Sequence, residues 1–195
     1  MRKLKLQIQL TIDGFISGAN GEMDWMLLDW SDDLKEYIRE ITNPVDTILL
    51  GRKLAQEFIP YWTEAFNNPE GEEEGARKMV ETPKVVFSKT LIKSEWERTI
   101  VANGKLTDEV NVLKNQAGGD MIVYGGGEFV SSLIKEQLID ELHLLINPAV
   151  IGKGMPIFQQ VTEVQNFKLM FSKQFSCGII VLNYNPVTNS DQSAK

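Results

Sequence analysis

Three consecutive glycines, Gly125, Gly126 and Gly127, separate the apolar run 121–124, typical of a buried strand, from a helical segment over residues 128–134. Glycine permits backbone angles and close approaches that a Cβ forbids. The first turn of a helix presents unpaired N–H groups and a positive dipole end, which suit a phosphate. Because the further glycine of the G-x-G-x-x-G fingerprint is missing, the junction predicts either a dinucleotide-phosphate site or a flexible strand-to-helix turn.

Composition favours one globular domain. The 195 residues, 43% of them apolar, can bury one substantial core, so we expect a single domain over residues 1–185 and a disordered tail over 186–195. A net charge of −7 argues against nucleic acid and acidic membranes as partners. Cys177 is the only cysteine and His143 the only histidine, which excludes an intrachain disulfide and argues against a metal site. We expect a cytoplasmic protein that takes a small-molecule substrate.

Predicted strands and helices alternate along the chain. Residues 4–12 alternate apolar and polar side chains, which predicts a half-buried strand, and Ser31 is placed to cap a helix running to about Ile41. The pattern predicts an α/β fold whose last strands are antiparallel. Further strands are predicted at 47–50, 84–88, 99–101, 121–124 and 141–146, helices open at 51–53 and near Thr107, and residues 167–175 and 178–184 form a C-terminal hairpin.

One segment lacks a clear helix or strand pattern. Residues 60–75 begin with Pro60, contain Asn67, Asn68 and Pro69, and carry the acidic run 72–74. Proline and asparagine interrupt regular structure, and a run of like charges is usually solvated. This segment therefore predicts a solvated loop or an exposed helix start.

Three predicted strands end in groups that suit a phosphate. The first is followed by Arg52 at a helix start, the second by Ser88 and Lys89, and the third by the triple glycine. In an open α/β sheet, ligands bind beyond the carboxyl ends of the strands, near the point where the strand order reverses. The three junctions together favour a phosphate-bearing ligand at that edge of the sheet.

The order of these motifs resembles the dihydrofolate-reductase-like superfamily, and in particular the branch containing the reductase domain of bacterial riboflavin biosynthesis. The resemblance extends from about Lys3 to Tyr184. It implies a three-layer α/β fold with a central, mostly parallel sheet, antiparallel C-terminal strands and helices on both faces. It rests, in chain order, on Thr11, Asp13, Gly14, Gly51, Arg52, Val86, Phe87, Ser88, Lys89, Gly125, Gly126, Gly127, Glu128, Asn147, Pro148, Gly152, Gly154, Pro156 and Phe158.

The resemblance implies an NADPH-dependent reductase similar to 5-amino-6-(5-phosphoribosylamino)uracil reductase, without identifying the substrate. Asp13 and Gly14 would begin a loop that closes over the nicotinamide, and the peptide bond between Gly125 and Gly126 would be cis. Because the C-terminal strands pair subunits in such relatives, a homodimer is also implied. The implied cofactor-binding residues are Gly14, Gly51, Arg52, Lys53, Ser88, Lys89, Gly125, Gly126, Gly127 and Glu128.

Two positions depart from the pattern of folate reductases. Leu54 stands where a hydroxyl residue is usual, which removes one phosphate hydrogen bond. Glu128 stands where a basic residue is common, and its carboxylate repels phosphate even though the helix dipole stabilises it. These departures leave the preference between NADPH and NADH open.

The substrate side offers two catalytic candidates, Asp13 and Asp24. Asp24 could relay a proton if burial raised its pKa, or it could be an ordinary loop acid. Trp25 and Trp62 could form an aromatic wall for a flat substrate, or they could be packing residues. No acid clearly matches the folate-binding carboxylate, so folate reduction is disfavoured.

Two functional hypotheses from different classes follow. One is a reductase that uses NADPH on a small heterocyclic or carbonyl substrate, and the other is a catalytically silent nucleotide-binding module or dimeric scaffold with the same fold. The apolar strand 142–146 and the C-terminal hairpin predict an open sheet face that a second subunit would cover, unless helices of the same chain cover it.

Overall fold

A large β-sheet organises the chain. The computed structural model describes residues 1–68 and 75–187 in full and residues 73 and 74 by their backbone. The strands are β1 (Leu4–Leu10), β2 (Phe15–Ser17), β3 (Val45–Gly51), β4 (Lys84–Phe87), β5 (Thr99–Ala102), β6 (Asp120–Val123), β7 (Glu141–Ile146), β8 (Met155–Pro156), β9 (Phe167–Gln174) and β10 (Ile180–Pro186). The helices are α1 (Asp32–Thr42), α2 (Arg52–Asn67), α3 (Glu73–Glu81), α4 (Leu106–Asn115) and α5 (Gly127–Lys135).

Eight strands form the main sheet in the order β5-β4-β3-β6-β1-β7-β10-β9. The six strands from β5 to β7 are parallel, whereas β10 is antiparallel to both β7 and β9. Strands β2 and β8 pair separately as a small antiparallel sheet. The expected fold class, a mostly parallel sheet with antiparallel C-terminal strands, is confirmed.

Helices cover both faces of the main sheet. Along β3, Leu49 packs in the apolar cluster that contains α4 and α5, whereas Ile48 and Leu50 pack in the cluster that contains α2 and α3. Along β7, Leu144 joins the α4 and α5 cluster, and Leu145 packs with α1. Because neighbouring residues of a strand point to opposite faces, α1, α2 and α3 cover one face and α4 and α5 the other. This gives the three expected layers.

Strand β1 is buried on both faces, so the prediction of a half-buried strand was wrong. Its polar residues Lys5 and Gln7 are buried beneath α1, because β1 lies between the parallel strands β6 and β7. The Lys5 ammonium lies 2.9 Å from a carboxylate oxygen of Asp120 and donates to the Ile41 carbonyl at 3.0 Å. A buried charge is tolerated when it is paired in this way.

Helix α2 continues through Pro60 to Asn67, so the prediction of a loop or helix start from residue 60 was wrong. A proline inside a helix removes one backbone hydrogen bond, but Ala55 and Ile59 of the preceding turn are buried against the sheet. Apolar packing therefore outweighs the loss of that bond. Residues 73 and 74 of the acidic run begin α3, and Glu72 lies outside the described residues.

The C-terminal hairpin forms as predicted, but β10 extends to Pro186, into the predicted tail. Residues 188–195 lie outside the described part of the chain. Strand β9 is the last strand of the sheet, and nearly all of its residues are exposed, including Leu169 and Met170. An apolar edge strand of this kind is a ready pairing surface.

Among the described residues, none of the helices has the length and apolarity needed to cross a membrane.

Candidate functional site

The order of the strands reverses between β3 and β6. After β3 the chain adds β4 and β5 on one side, and after β6 it adds β7 on the other. Helices α2 and α5 therefore begin at neighbouring strand ends, which is where open α/β sheets bind ligands. A Cβ on Gly51 would lie 2.8 Å from the Cβ of Phe129, and a Cβ on Gly126 would lie 3.6 Å from the Cβ of Leu54. The two helix starts are thus in contact, and both positive helix ends lie at one crevice.

The triple glycine turns the chain from β6 into α5. Gly126 has φ +83°, a left-handed conformation that favours glycine. All peptide bonds of the described residues are trans, so the prediction of a cis bond between Gly125 and Gly126 was wrong. The positive φ of Gly126 makes the turn instead. Gly127 is buried, and a Cβ there would overlap the Met155 sulfur of β8.

The predicted phosphate ligands of α2 lie at the helix start. The Arg52 guanidinium donates to the Gln56 amide oxygen at 3.1 Å, within the same helix. The Lys53 ammonium lies 3.4 Å from a carboxylate oxygen of Glu128, the second residue of α5, and both side chains are mostly exposed. Lys53 therefore offsets part of the repulsion that Glu128 exerts on a phosphate.

Ser88 and Lys89 follow β4, next to β3 at the same edge of the sheet. The Ser88 hydroxyl oxygen accepts hydrogen bonds from the N–H groups of Leu91, at 2.8 Å, and Thr90, at 3.1 Å. The Lys89 ammonium donates to the carbonyl of Asn103 at 2.9 Å and also to that of Gly104. Both side chains order loops here. The Lys89 side chain is exposed. Because its ammonium is bonded to these two carbonyls, it can bind a phosphate only after those hydrogen bonds break.

Asp13 joins two loops at the ends of β1 and β7. Its carboxylate accepts a hydrogen bond from the Gly152 N–H at 2.7 Å, and Gly14 beside it has φ +84°. A hydrogen bond from the Thr11 side chain, followed by those from the backbone N–H groups of Gly152 and Ile151, holds the pKa of Asp13 below its ordinary value. Asp13 is therefore ionised at neutral pH, which suits an anchor of the loop better than a proton donor.

Asn147 is a positioning residue that sequence reasoning missed. Its completely buried side chain accepts a hydrogen bond from the Leu27 N–H at 3.0 Å and donates to the Gln9 amide oxygen, also at 3.0 Å. It thereby fastens the segment between β2 and α1 to the ends of β1 and β7. The available signal was an asparagine directly after a predicted buried strand and before Pro148, in the motif of the resemblance.

The other substrate-side candidates occupy different settings. Asp24 is exposed, so the burial on which its proposed proton relay depended is not present. The Trp25 indole N–H is buried and has no hydrogen-bond partner among the described residues. Trp62 packs on α2 against Phe58 and Tyr61, at ring-centroid distances of 6.0 and 5.2 Å. The structure thus leaves Trp25 with an unused donor and gives Trp62 a packing role.

A concavity lies at the opposite edge of the sheet, at the amino ends of the strands. It encloses about 540 Å³ and is lined in part by Arg2, Asp46 and Thr47, near the amino ends of β1 and β3. Its polar groups are already paired, since the Arg2 guanidinium donates to the Thr47 hydroxyl at 2.7 Å and forms an ion pair with Asp46. We therefore place the site by the strand ends and helix starts, not by cavity volume. No cluster of metal-binding side chains occurs among the described residues.

The sequence of residues 2–181 matches the family model of the RibD C-terminal domain. The chain belongs to this family. Its structural neighbours are RibD-like riboflavin biosynthesis reductases of the dihydrofolate-reductase-like superfamily, so the resemblance read from the motif order is confirmed.

Two Bacillus subtilis (strain 168) proteins of uncharacterized function are similar over most of their length. The protein YyaP is 34% identical over 187 residues, which are 94% of this chain and 95% of YyaP. The protein YwjB is 27% identical over 174 residues, which are 89% and 92% of the two chains.

Solved structures share the fold of this RibD C-terminal domain. A protein of Shewanella sp. PV-4, provisionally assigned to riboflavin biosynthesis, has a TM-score of 0.71 and 21% identity, with 96% of this chain and 100% of that one covered. A Thermotoga maritima diaminohydroxyphosphoribosylaminopyrimidine deaminase/5-amino-6-(5-phosphoribosylamino)uracil reductase has a TM-score of 0.67 and 19% identity, with 95% and 57% covered. Identities this low support the fold alone.

The substitution Gly125→Ala tests whether a cofactor phosphate binds at the glycine turn. A Cβ on Gly125 would meet only the Leu54 Cδ2 atom, at an ordinary 3.7 Å, so Gly125→Ala leaves the free protein intact. If NADPH phosphate approaches this backbone, the methyl group obstructs it, and we expect at least a tenfold higher Kd with a change in unfolding free energy below about 0.5 kcal/mol.

Fluorescence titration with NADPH and chemical denaturation would measure the two effects. Gly178→Ala, at a turn glycine with φ +93° between β9 and β10, outside the α2–α5 crevice, is the control that carries backbone strain. Unchanged NADPH affinity in Gly125→Ala would contradict the assignment.

Proposed function

We propose that this RibD C-terminal domain is an NADPH-dependent reductase that transfers a hydride to a small heterocyclic or carbonyl substrate. The observation that carries the proposal is the contact between the two helix starts, where Gly51 allows the close approach of Phe129, and Gly125 and Gly126 carry no side chain. Family membership supports the same activity. When bound, NADPH would supply the hydride.

The residues at the crevice fit the phosphates of such a cofactor. Cβ atoms on Gly125 and Gly126 would meet no atom within 3.4 Å, so the protein's own atoms do not fill the space beside this backbone. The N–H groups at the start of α5 and the Arg52 guanidinium would bind the pyrophosphate, and Ser88 and Lys89 would lie near the ribose 2′-phosphate. Glu128 is the one unfavourable group, and its pairing with Lys53 reduces its effect.

The loops after β1 and β2 would position the substrate. Asp13 holds its loop against the Gly152 N–H, and Asn147 holds Leu27. The half-buried Trp25 ring would present an aromatic face to a flat substrate.

A silent nucleotide-binding module is the second candidate. It is favoured by one observation: neither proposed acid is a buried proton donor, since Asp13 is held ionised and Asp24 is exposed. The two functions differ in turnover and not in cofactor binding. Loss of NADPH absorbance in the presence of flat carbonyl heterocycles supports the reductase, whereas NADPH binding without oxidation across such a panel supports the module.

Removing the positive charge of Arg52 tests whether this side chain binds the cofactor. Arg52→Ala removes the guanidinium at the start of α2, and we expect NADPH binding to weaken by roughly 1.5–3 kcal/mol, the range for hydrogen bonds to charged groups. Calorimetric titration would measure the change. Arg39→Ala is the matched control, because Arg39 lies near the end of α1 and pairs with Glu36 at 3.0 Å. An Arg52→Ala protein with wild-type affinity would remove Arg52 from the site.

We also propose that the protein is a homodimer assembled through the C-terminal hairpin. Within the described part of the chain, β9 pairs only with β10, and Leu169, Met170 and Phe171 are 49%, 51% and 37% exposed. A second copy would cover this apolar edge and remove its risk of uncontrolled pairing. Helix α1 of the same chain contacts one face of β9, since the Tyr37 ring stacks on the Phe171 ring with 5.5 Å between the ring centroids. That contact leaves most of β9 uncovered.

Light scattering at micromolar concentration tests the dimer. We expect a mass of about twice 22.0 kDa for the wild type and about 22.0 kDa for Met170→Glu, because a buried carboxylate disfavours the interface. Ile100→Glu, at a 63% exposed position on β5 at the other edge of the sheet, should remain dimeric. A monomeric wild-type protein would exclude the proposal.

A further inference from the structure

The segment between β1 and α1 crosses the substrate side of the proposed site. At one end, the Ile16 side chain lies 3.3 Å from the Cβ position of Gly127, beside the glycine turn. At the other end, Leu27 is fastened through Asn147 to the ends of β1 and β7. The segment therefore runs over the carboxyl end of β1, and a substrate that approaches the cofactor from this side meets it.

This segment is strongly acidic and contains no cation. Between Lys5 and Lys35 the chain has no lysine or arginine and six carboxylates. Five of them are exposed and only Asp33 is half-buried. The neighbouring loop that follows β7 contributes one cation up to Phe158, the exposed Lys153. The six acidic residues are Asp13, Glu22, Asp24, Asp29, Asp32 and Asp33.

The start of α1, which could otherwise hold an anion, is occupied by the protein's own carboxylates. Asp32 and Asp33 lie in its first turn. The Asp33 carboxylate accepts hydrogen bonds from the N–H groups of Leu34, at 3.0 Å, and Ser176, at 3.1 Å. A phosphate at this helix end would have to displace a carboxylate and would be repelled by its neighbour.

We propose, on the basis of the reductase function above, that this site takes a carbonyl heterocycle without a phosphate group. The Thermotoga maritima relative is named for a substrate with a phosphoribosyl group, and a phosphate ester needs arginine, lysine or a free helix start. The substrate side of this chain carries acids instead, together with the half-buried aromatic ring of Trp25. The exposed apolar side chains of Met23 and Leu28 flank Trp25 in the chain and suit an uncharged ring.

The test compares ligand pairs that differ only in a phosphate, namely 5-amino-6-ribosylaminouracil with its 5′-phosphate, and riboflavin with its 5′-phosphate. Calorimetry on protein saturated with NADP⁺ measures binding, and loss of NADPH absorbance measures reduction. We expect each unphosphorylated member to bind at least about tenfold more tightly, because the carboxylates of this segment would repel a phosphate on the same side of the site.

A charge-reversal variant separates electrostatics from shape. Asp29→Lys/Asp32→Lys should reduce the preference for the unphosphorylated ligand about tenfold. The matched control Asp108→Lys/Glu136→Lys changes the same number of exposed charges, on α4 and just after α5, and should preserve that preference. Equal or tighter binding of the phosphorylated members by wild type would overturn the inference and leave the reductase proposal standing. A chain that binds neither NADPH nor either pair would overturn the reductase proposal itself.

Discussion

The contact between the starts of α2 and α5 is the constraint on which the proposed site depends. The two helices begin on the adjacent strands β3 and β6, and only a residue without a side chain fits at Gly51, because the Phe129 Cβ lies 2.8 Å from the position of its Cβ. At this distance two positive helix ends act on one ligand. Two anionic groups joined by a short bridge, as in a dinucleotide pyrophosphate, neutralise both ends at once.

The substrate side of the proposed site is held by polar bonds, those of the buried Asn147 and the exposed Asp13, instead of glycine packing. Asn147 and Asp13 fasten two otherwise long loops to the ends of β1 and β7. A buried amide with satisfied partners fixes one arrangement, because each partner would lose a hydrogen bond in any other. This construction would make the acidic segment before α1 a fixed part of the proposed site, through which its charge would select among substrates.

The sequence predicted the parts of the fold that depend on local pattern. Apolar runs identified β3, β4 and β7, and the glycine turn located the start of α5. Sequence patterns failed where contacts between distant residues determine the structure. The polar residues of β1 are buried because α1 covers them. Helix α2 continues through Pro60 because Ala55 and Ile59 are buried against the sheet. The role of Asn147 was equally hidden, since its partners Gln9 and Leu27 are far away in the chain.

Amide hydrogen exchange with and without NADP⁺ tests the location of the cofactor site most directly. Binding at the α2–α5 crevice predicts slower exchange at residues 51–54, 88–90 and 125–129 when NADP⁺ is present. The cavity at the opposite edge, lined in part by Arg2, Asp46 and Ala117, should show no change. Protection confined to that cavity, with unchanged exchange at the two helix starts, would contradict the account.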